Sequence, residues 1–266
     1  MSYIPLTYID LALPATLVLL NGVLSLMLHL GLERQLALAT GRMVVQLVLV
    51  GYVLSALFAA TSPFWTGLAA SMMVLFAGRE VMARQKRPLA GPWAFGLGTG
   101  CMLIAAGTVT ALALLTQIRP DPWYHPRYAL PLLGMVLGNT MTGISLGLDV
   151  LTTGLVRERA GVEARLALGA TRRVALLPIT RDALRSGFMP IINSMAAVGL
   201  VSLPGMMTGQ ILAGVEPVDA VKYQILVMFL IAGGTGLGTL GAVILGGLRL
   251  TDERHRLRLD RIEGAR

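Results

Sequence analysis

Cysteine and lysine are scarce in this chain of 266 residues. Its one cysteine, Cys101, lies in an apolar run, so neither a disulfide framework nor a cluster of thiolate metal ligands is available. The two lysines, Lys86 and Lys222, do not follow glycines, so the chain has no G-x-x-x-x-G-K-[ST] loop to hold the phosphates of ATP. A function driven by ATP therefore needs a second chain that binds the nucleotide.

Charged residues are also few, at 14% of the chain, whereas 55% of the residues are hydrophobic. This composition is typical of polytopic membrane proteins. The net charge of +8 does not indicate nucleic-acid binding, because the arginines lie between apolar runs, as at the cytoplasmic face of a bilayer. The stretch MSYIPLTYID has no basic residue before the first apolar run and contains Asp10, which favours a retained span over a cleaved signal peptide.

Apolar stretches of about the length of a spanning helix recur along the chain. They predict an all-α integral membrane protein with about seven transmembrane helices. The predicted spans are residues 9–30, 37–59, 63–83, 93–116, 128–152, 188–213 and 223–247.

The basic residues predict the orientation of these spans. When the loops are assigned to alternate sides, 19 of the 22 Lys and Arg residues fall on one side, and only Arg119, Arg127 and Lys222 fall on the other. By the positive-inside rule the N-terminus is outside and the C-terminus is cytoplasmic. The expected organisation is one membrane domain over 1–248, with a cytoplasmic polar block at about 153–187 and a basic tail at 249–266.

The polar block contains seven arginines between 157 and 187. Helix-forming residues dominate RERAGVEARLAL, Gly169 interrupts them, and Thr171 is suited to cap a second short helix that ends at Leu177 before Pro178. Periodicity alone leaves two interpretations open: a knob that docks another protein, or an amphipathic segment whose arginines contact anionic lipid.

Within this block, Glu163, Ala164 and Gly169 match the pattern E-A-A, three residues, G, with Arg165 in place of the second alanine. The pattern resembles the loop by which ABC-transporter permeases dock onto their ATPase subunits. Together with LGNTMTGISL at 137–146 and RSGFMPIINSMAAVGLVSLPGMMTGQILAG at 185–214, the chain looks like the FetB-type family of metal-export ABC permeases, to which the plant aluminium-tolerance half-permeases are related.

The resemblance implies a permease subunit of the bacterial inner membrane that exports iron or another metal ion as a homodimer. It implies a separate ABC ATPase subunit that binds ATP and Mg, with no cofactor and no catalytic residue on this chain. The residues expected to couple the two subunits are Glu163, Ala164, Arg165, Leu168, Gly169, Ala170 and Thr171.

Polar and helix-breaking residues inside the predicted spans are candidates for the transport path or gate. Interhelical hydrogen bonds are the alternative for the amides. Packing is the alternative for the methionines, because thioethers select soft ions and methionine fills irregular gaps. The candidates are Asn139, Thr140, Asn193, Pro204, Gly205, Met206, Met207 and Gln210, and no metal ligands are assigned.

Two other classes of function stay open. An ion-coupled secondary carrier needs no ATPase but would show inverted repeats or carboxylates in mid-span, neither of which is visible. A membrane scaffold that transports nothing is the second. Asp149 is expected at the inner interface, paired with an arginine of the polar block. The tail RLTDERHRLRLDRIEGAR is expected to be either a basic helix on anionic lipid or solvated.

Overall fold

The computed structural model describes residue 7 and residues 9–264, and its regular elements are helices. Helix α4 continues as a π-helical turn, Ala113–Ile118, and a 3₁₀ turn, Leu259–Arg261, lies near the C-terminus. The helices are α1 (Ala12–Met27), α2 (Glu33–Ala60), α3 (Pro63–Ala83), α4 (Pro92–Leu112), α5 (Pro126–Arg157), α6 (Arg159–Ala167), α7 (Arg172–Ala197), α8 (Gly205–Leu212) and α9 (Pro217–Arg249).

Helices α5 and α9 form the centre of the bundle, and α3, α4 and α7 pack around them. Small residues permit the closest approach. A Cβ added to Gly143 of α5 would lie 2.6 Å from Oγ1 of Thr239 on α9 and 3.0 Å from the carbonyl oxygen of Gly187 on α7. Because lipid supplies no hydrophobic force between helices, such close backbone contact is what holds a membrane bundle together.

The all-helical membrane architecture predicted from the sequence is confirmed. Among the described residues, four helices are long and apolar enough to cross a membrane: α2, α4 with its π turn, α5 and α9. Helix α1 is apolar but shorter. The count of seven spans and the orientation of the termini stay predictions, and residues 1–6 of the predicted external N-terminus lie outside the described part of the chain.

The predicted span 188–213 is broken before Gly205, as the helix-breaking pair Pro204 and Gly205 indicates, whereas the prediction of a second short helix ending before Pro178 is wrong. Helix α7 begins at Arg172, continues through Pro178 and Pro190, and ends at Ala197. The buried side of its first half packs on α5 and α9, so tertiary contacts offset the hydrogen bonds that the two prolines remove. The residues between α5 and α7 are therefore 158–171, and the predicted polar block at 153–187 also includes the end of α5 and the first half of α7.

The C-terminal segment, defined here as residues 250–263, is neither a basic helix nor a solvated tail. Leu250 and Ile262 are buried, and the amide of Ala90 donates to the carbonyl of Arg261 at 2.8 Å. The Arg258 guanidinium holds the Asp260 carboxylate at 2.7 Å and lowers the pKa of that group to about 2. The charge pattern did not predict this packing, because it depends on Ile262, an apolar residue among the charges that pairs with Leu89 of the α3–α4 loop.

Helices α1 and α2 pack least. Helix α2 has no buried residue, and the one buried residue described in α1 is Ser25. The Ser25 hydroxyl fixes the connection between the two helices, because it donates to Glu33 at 3.1 Å and accepts from the amide of Leu32 at 3.0 Å. This α1–α2 hairpin therefore presents most of its surface to its surroundings.

Candidate functional site

Helix α6 is held firmly against the end of the bundle at which α5 ends and α7 begins. Val162 is fully buried, and the guanidinium Nη1 of Arg165 donates to the carbonyl of Ala175 on α7 at 2.9 Å. On the outer side of α6, Arg159 pairs with Glu163 at 2.8 Å, one turn further along the helix. An apolar anchor and a charge-assisted hydrogen bond thus fix a polar helix whose outer face is open.

The turn after α6 presents an apolar side chain. Leu168 is 88% exposed, which places a large hydrophobic group at the tip of a polar segment. Gly169 has φ +87°, a left-handed conformation that favours glycine, and it ends α6. The hydroxyl of Thr171 accepts from the amide of Val174 at 3.5 Å, which confirms Thr171 as a helix cap.

The structure brings the predicted coupling residues together in one compact segment between α5 and α7. Their role in coupling stays a prediction. The segment, called here the tip segment, contains Glu163, Ala164, Arg165, Leu168, Gly169, Ala170 and Thr171.

One contact beside the tip segment could not be predicted from the sequence. The ring Nδ1 of His255 accepts from the backbone amide of Arg172 at 3.2 Å, so the C-terminal segment touches the first turn of α7. His255 is 83 residues away in sequence, and only the fold of the C-terminal segment brings it there.

The two polar candidates of α5 lie on different sides of that helix. Asn139 is exposed, and its amide donates only to the carbonyl of Met135 within its own helix, at 2.9 Å. Thr140 is fully buried, against Gly234 and Gly238 of α9. Consecutive residues of a helix point about 100° apart, so Asn139 lies on the open surface while its neighbour Thr140 points into the core.

Asn193 of α7 is exposed like Asn139. Helices α5 and α7 are antiparallel, with Gly143 against Gly187. Asn139 lies four residues, or about 6 Å, from Gly143 along α5. Asn193 lies six residues, or about 9 Å, from Gly187 along α7, towards the same end of the bundle. The two amides therefore lie at similar depth on helices that touch.

The remaining candidates belong to α8, which packs on α9. Pro204 is the N-cap of α8 and Gly205 is its first residue. The methionines Met206 and Met207 are half-buried, and Met206 packs against the apolar core, which supports the packing interpretation for that residue. Gln210 is half-buried, and no described group donates to its buried Oε1.

Polar residues of α9 were missed by sequence analysis. Gln224, Thr235 and Thr239 are buried, and the side-chain oxygen of each has no hydrogen-bond partner among the described residues. A glutamine within an apolar run is a signal of its own. The two threonines carry no such signal in the sequence, because a threonine in a membrane helix commonly donates its hydroxyl to a backbone carbonyl of its own helix.

Asp149 does not pair with the polar block. Its Oδ1 accepts from the backbone amide of Lys86 in the α3–α4 loop at 2.7 Å, so it fixes that loop to α5. Within residues 9–264, no group of three or more His, Cys, Asp and Glu side chains could hold a metal ion.

Helices of this length and apolarity, packed through glycines and carrying amides on an open surface, define a multi-pass α-helical membrane protein. The chain belongs to the family described as Uncharacterised protein family (UPF0014), whose model matches residues 8–250. No solved structure matches the chain.

Three relatives show the range of this family. The chain is 40% identical over 215 residues to the UPF0014 membrane protein slr1647 of Synechocystis, covering 79% of this chain and 81% of the relative. It is 33% identical to the probable iron export permease protein FetB of Escherichia coli, covering 93% of each. It is 35% identical to the protein ALUMINUM SENSITIVE 3 of Arabidopsis thaliana, covering 86% and 81%. The FetB-type resemblance is thereby confirmed.

Proposed function

We propose that the chain is the permease subunit of an ABC-type exporter that moves a metal ion, iron being the first candidate, with ATP and Mg bound by a separate ATPase subunit. The observation that carries the proposal is the tip segment: an exposed leucine on a base that is fixed to the bundle. The similarity to a probable iron export permease supports the cargo class.

The tip segment has the mechanical properties that coupling requires. Its base is connected to two long helices, because α6 directly follows α5 and Arg165 bonds to the first turn of α7. A displacement of the tip is therefore passed to α5 and α7 as movement of packed helices. Leu168 is the natural anchor for a pocket on the partner, since apolar side chains that become fully desolvated dominate protein interfaces.

The route for the ion is assigned to the surface of α5 and α7 that carries Asn139 and Asn193. Amides exposed to lipid at this depth would be unfavourable, so this surface needs a covering that provides polar partners or water. A second copy of the chain supplies one, and a two-fold dimer would enclose the path between its α5–α7 surfaces. Helices α1, α3 and α7 then complete seven crossings in the bacterial inner membrane, with the N-terminus outside and the basic C-terminus inside.

The first experiment tests docking at the tip. Leu168→Ser should abolish co-purification of the candidate ATPase and metal-stimulated ATP hydrolysis in lipid vesicles, because the anchor is lost while no buried contact changes. The matched control is Leu200→Ser, because Leu200 is 92% exposed in the loop between α7 and α8. That variant should keep both activities. Equal loss in both variants, or normal coupling in Leu168→Ser, would contradict the docking assignment.

A charge swap separates docking from helix stability. Glu163→Arg alone breaks the ion pair with Arg159 and alters the docking surface, whereas Glu163→Arg with Arg159→Glu restores the pair with reversed polarity. Both variants should lose ATPase binding if the partner recognises the carboxylate. Recovery in the double variant would mean that the carboxylate only stabilises α6.

A flux assay tests the proposed route. Asn139→Leu and Asn193→Leu should each slow ATP-driven uptake of Fe(II) into inverted vesicles at least tenfold, while ATPase binding is retained. Tyr52→Leu on α2, which changes another exposed residue of a membrane helix, is the control and should transport normally. Wild-type flux in both asparagine variants would overturn the assignment. Flux that continues without the ATPase would support an ion-coupled carrier.

A further inference from the structure

Two apolar grooves flank the inner end of α9, one on each side of the helix. The first lies between α7 and α9, has a volume of about 430 Å³, and carries Arg172 and Arg173 at its end. The second lies between α4 and α9, has a volume of about 410 Å³, and contains Trp93. The two grooves are similar in size and mostly apolar, but arginines line only the first of them.

The walls of the α7–α9 groove suit a hydrocarbon chain. Leu176 and Leu177 of α7 face Val243 and Ile244 of α9, and Gly247 leaves the space between them open. From Val243 to the end of α9 the slot runs about 10 Å along the helix. Leu177 and Ile244 are also exposed, so the groove is continuous with the apolar surface that the bundle presents to lipid.

The guanidinium groups at the end of this groove are available for an anion. Within the described part of the chain, no carboxylate lies within 4.0 Å of either Arg172 or Arg173. In the α4–α9 groove the corresponding charge is already engaged, because the Arg249 guanidinium stacks on the Trp93 ring at 4.6 Å. Of these two grooves beside α9, the α7–α9 groove is thus the one that combines an apolar slot with free positive charge.

We propose that an anionic glycerophospholipid of the inner leaflet binds in the α7–α9 groove, with its phosphate on Arg172 and Arg173 and an acyl chain along Leu177 and Ile244. The basic end of the groove lies on the side that carries 19 of the 22 basic residues, where the membrane surface is negatively charged. Arginine pairs with phosphate through two parallel hydrogen bonds, which makes the site more selective than a surface charge.

Binding in this groove would connect the two cytoplasmic segments of the protein. Arg172 begins α7 directly after the tip segment, and its backbone amide is bonded to His255 of the C-terminal segment. The lipid would join the first turn of α7 to the last turns of α9, next to that contact. Anionic lipid is therefore expected to stabilise the inner end of the bundle independently of any transported ion.

The test uses the full chain in nanodiscs of phosphatidylcholine with increasing phosphatidylglycerol. The preference for retained phosphatidylglycerol is measured by native mass spectrometry, and the melting temperature is measured in parallel. Arg172→Gln with Arg173→Gln should lower the preference about 25-fold, since each arginine that contacts the lipid phosphate contributes about fivefold. The matched control, Arg181→Gln with Arg185→Gln, removes equal charge from α7 outside the groove and should change the preference less than threefold.

A second variant tests the slot while both arginines are kept. Gly247→Leu fills the groove, because a Cβ at this position meets only Leu176 at an ordinary 3.7 Å. It should lower phosphatidylglycerol retention, whereas Gly233→Leu on the same helix, in open space, should not. Retention that depends equally on the control arginines, or that persists in Gly247→Leu, overturns the site.

Two further outcomes would identify another occupant. If soluble glycerol phosphate displaces phosphatidylglycerol and raises the melting temperature as much, the ligand is a soluble phosphate compound and the lipid proposal is wrong. If the arginine variants reduce the dimer fraction while phosphatidylglycerol retention is unchanged, a second copy covers the groove and the proposal is again wrong.

Discussion

Helices α2 and α5 show that hydrophobicity and packing are separate properties in this protein. Helix α2 is the more hydrophobic of the two and has no buried residue, whereas half of the most apolar part of α5 is buried. Helix α5 packs because it places glycines and threonines against the backbones of α7 and α9. In lipid, small side chains and backbone contact hold helices together, and added hydrophobic surface does not.

The largest effect is expected where three backbones meet. Gly143→Ala places a Cβ 2.6 Å from Thr239 Oγ1 and 3.0 Å from the Gly187 carbonyl, so the helices must separate. We expect a loss of about 2 to 3 kcal/mol in the free energy of unfolding, the upper range for an overpacked core. Unfolding in detergent mixtures of increasing denaturing strength measures it.

Gly138→Ala is the control on the same helix, because a Cβ there meets no atom within 4 Å. It should be neutral or stabilise α5 by about 0.5 to 1 kcal/mol, since glycine is unfavourable within a helix. Equal effects of the two substitutions would show that the backbone contact between α5 and α7 is not the determinant.

A smaller effect is expected in the C-terminal segment, which is outside the apolar bundle but is packed. Ile262→Ser removes a buried side chain between this segment and the α3–α4 loop and should cost about 1.5 to 2 kcal/mol. Proteolysis between 250 and 263 should accelerate correspondingly. Glu263→Ser changes the exposed neighbour and should alter neither quantity; equal rates of cleavage in both variants would place the anchor elsewhere.

The sequence predicted what depends on local residues. Apolar runs gave the helical membrane class, and the hydroxyl of Thr171 gave a helix start, because both follow from short-range chemistry. The extent of α7 was missed, since Pro178 and Arg181 argue against a buried helix until α5 and α9 supply the contacts. Long-range pairing, such as His255 with Arg172, has no local signal at all.

The candidate site likewise has features that local sequence predicts and features that depend on long-range contacts. Motif spacing predicted the tip segment as one unit, and its residues lie together because they are close in the chain; their coupling role stays a prediction. It could not separate exposed Asn139 from buried Thr140, since that depends on which side of α5 faces α9. Nor could it find Thr239, whose environment is created by glycines on two other helices.

The smallest effect is expected in α2, which, unlike α5, buries no side chain in the bundle. Gln46 is an exposed polar residue on a helix without buried residues. In an isolated protomer, Gln46→Leu should change the free energy of unfolding by less than about 0.5 kcal/mol, because no contact within the protomer is lost. In the proposed two-fold dimer, a hydrogen bond from this amide to the second copy occurs twice, at about 0.6 kcal/mol each, so dimerisation in nanodiscs should weaken about eightfold. Tyr52→Leu is the matched control and should leave dimerisation unchanged. An unchanged dimer fraction in Gln46→Leu would mean that α2 faces lipid alone, and the surface of α5 and α7 would then have to supply the dimer contact by itself.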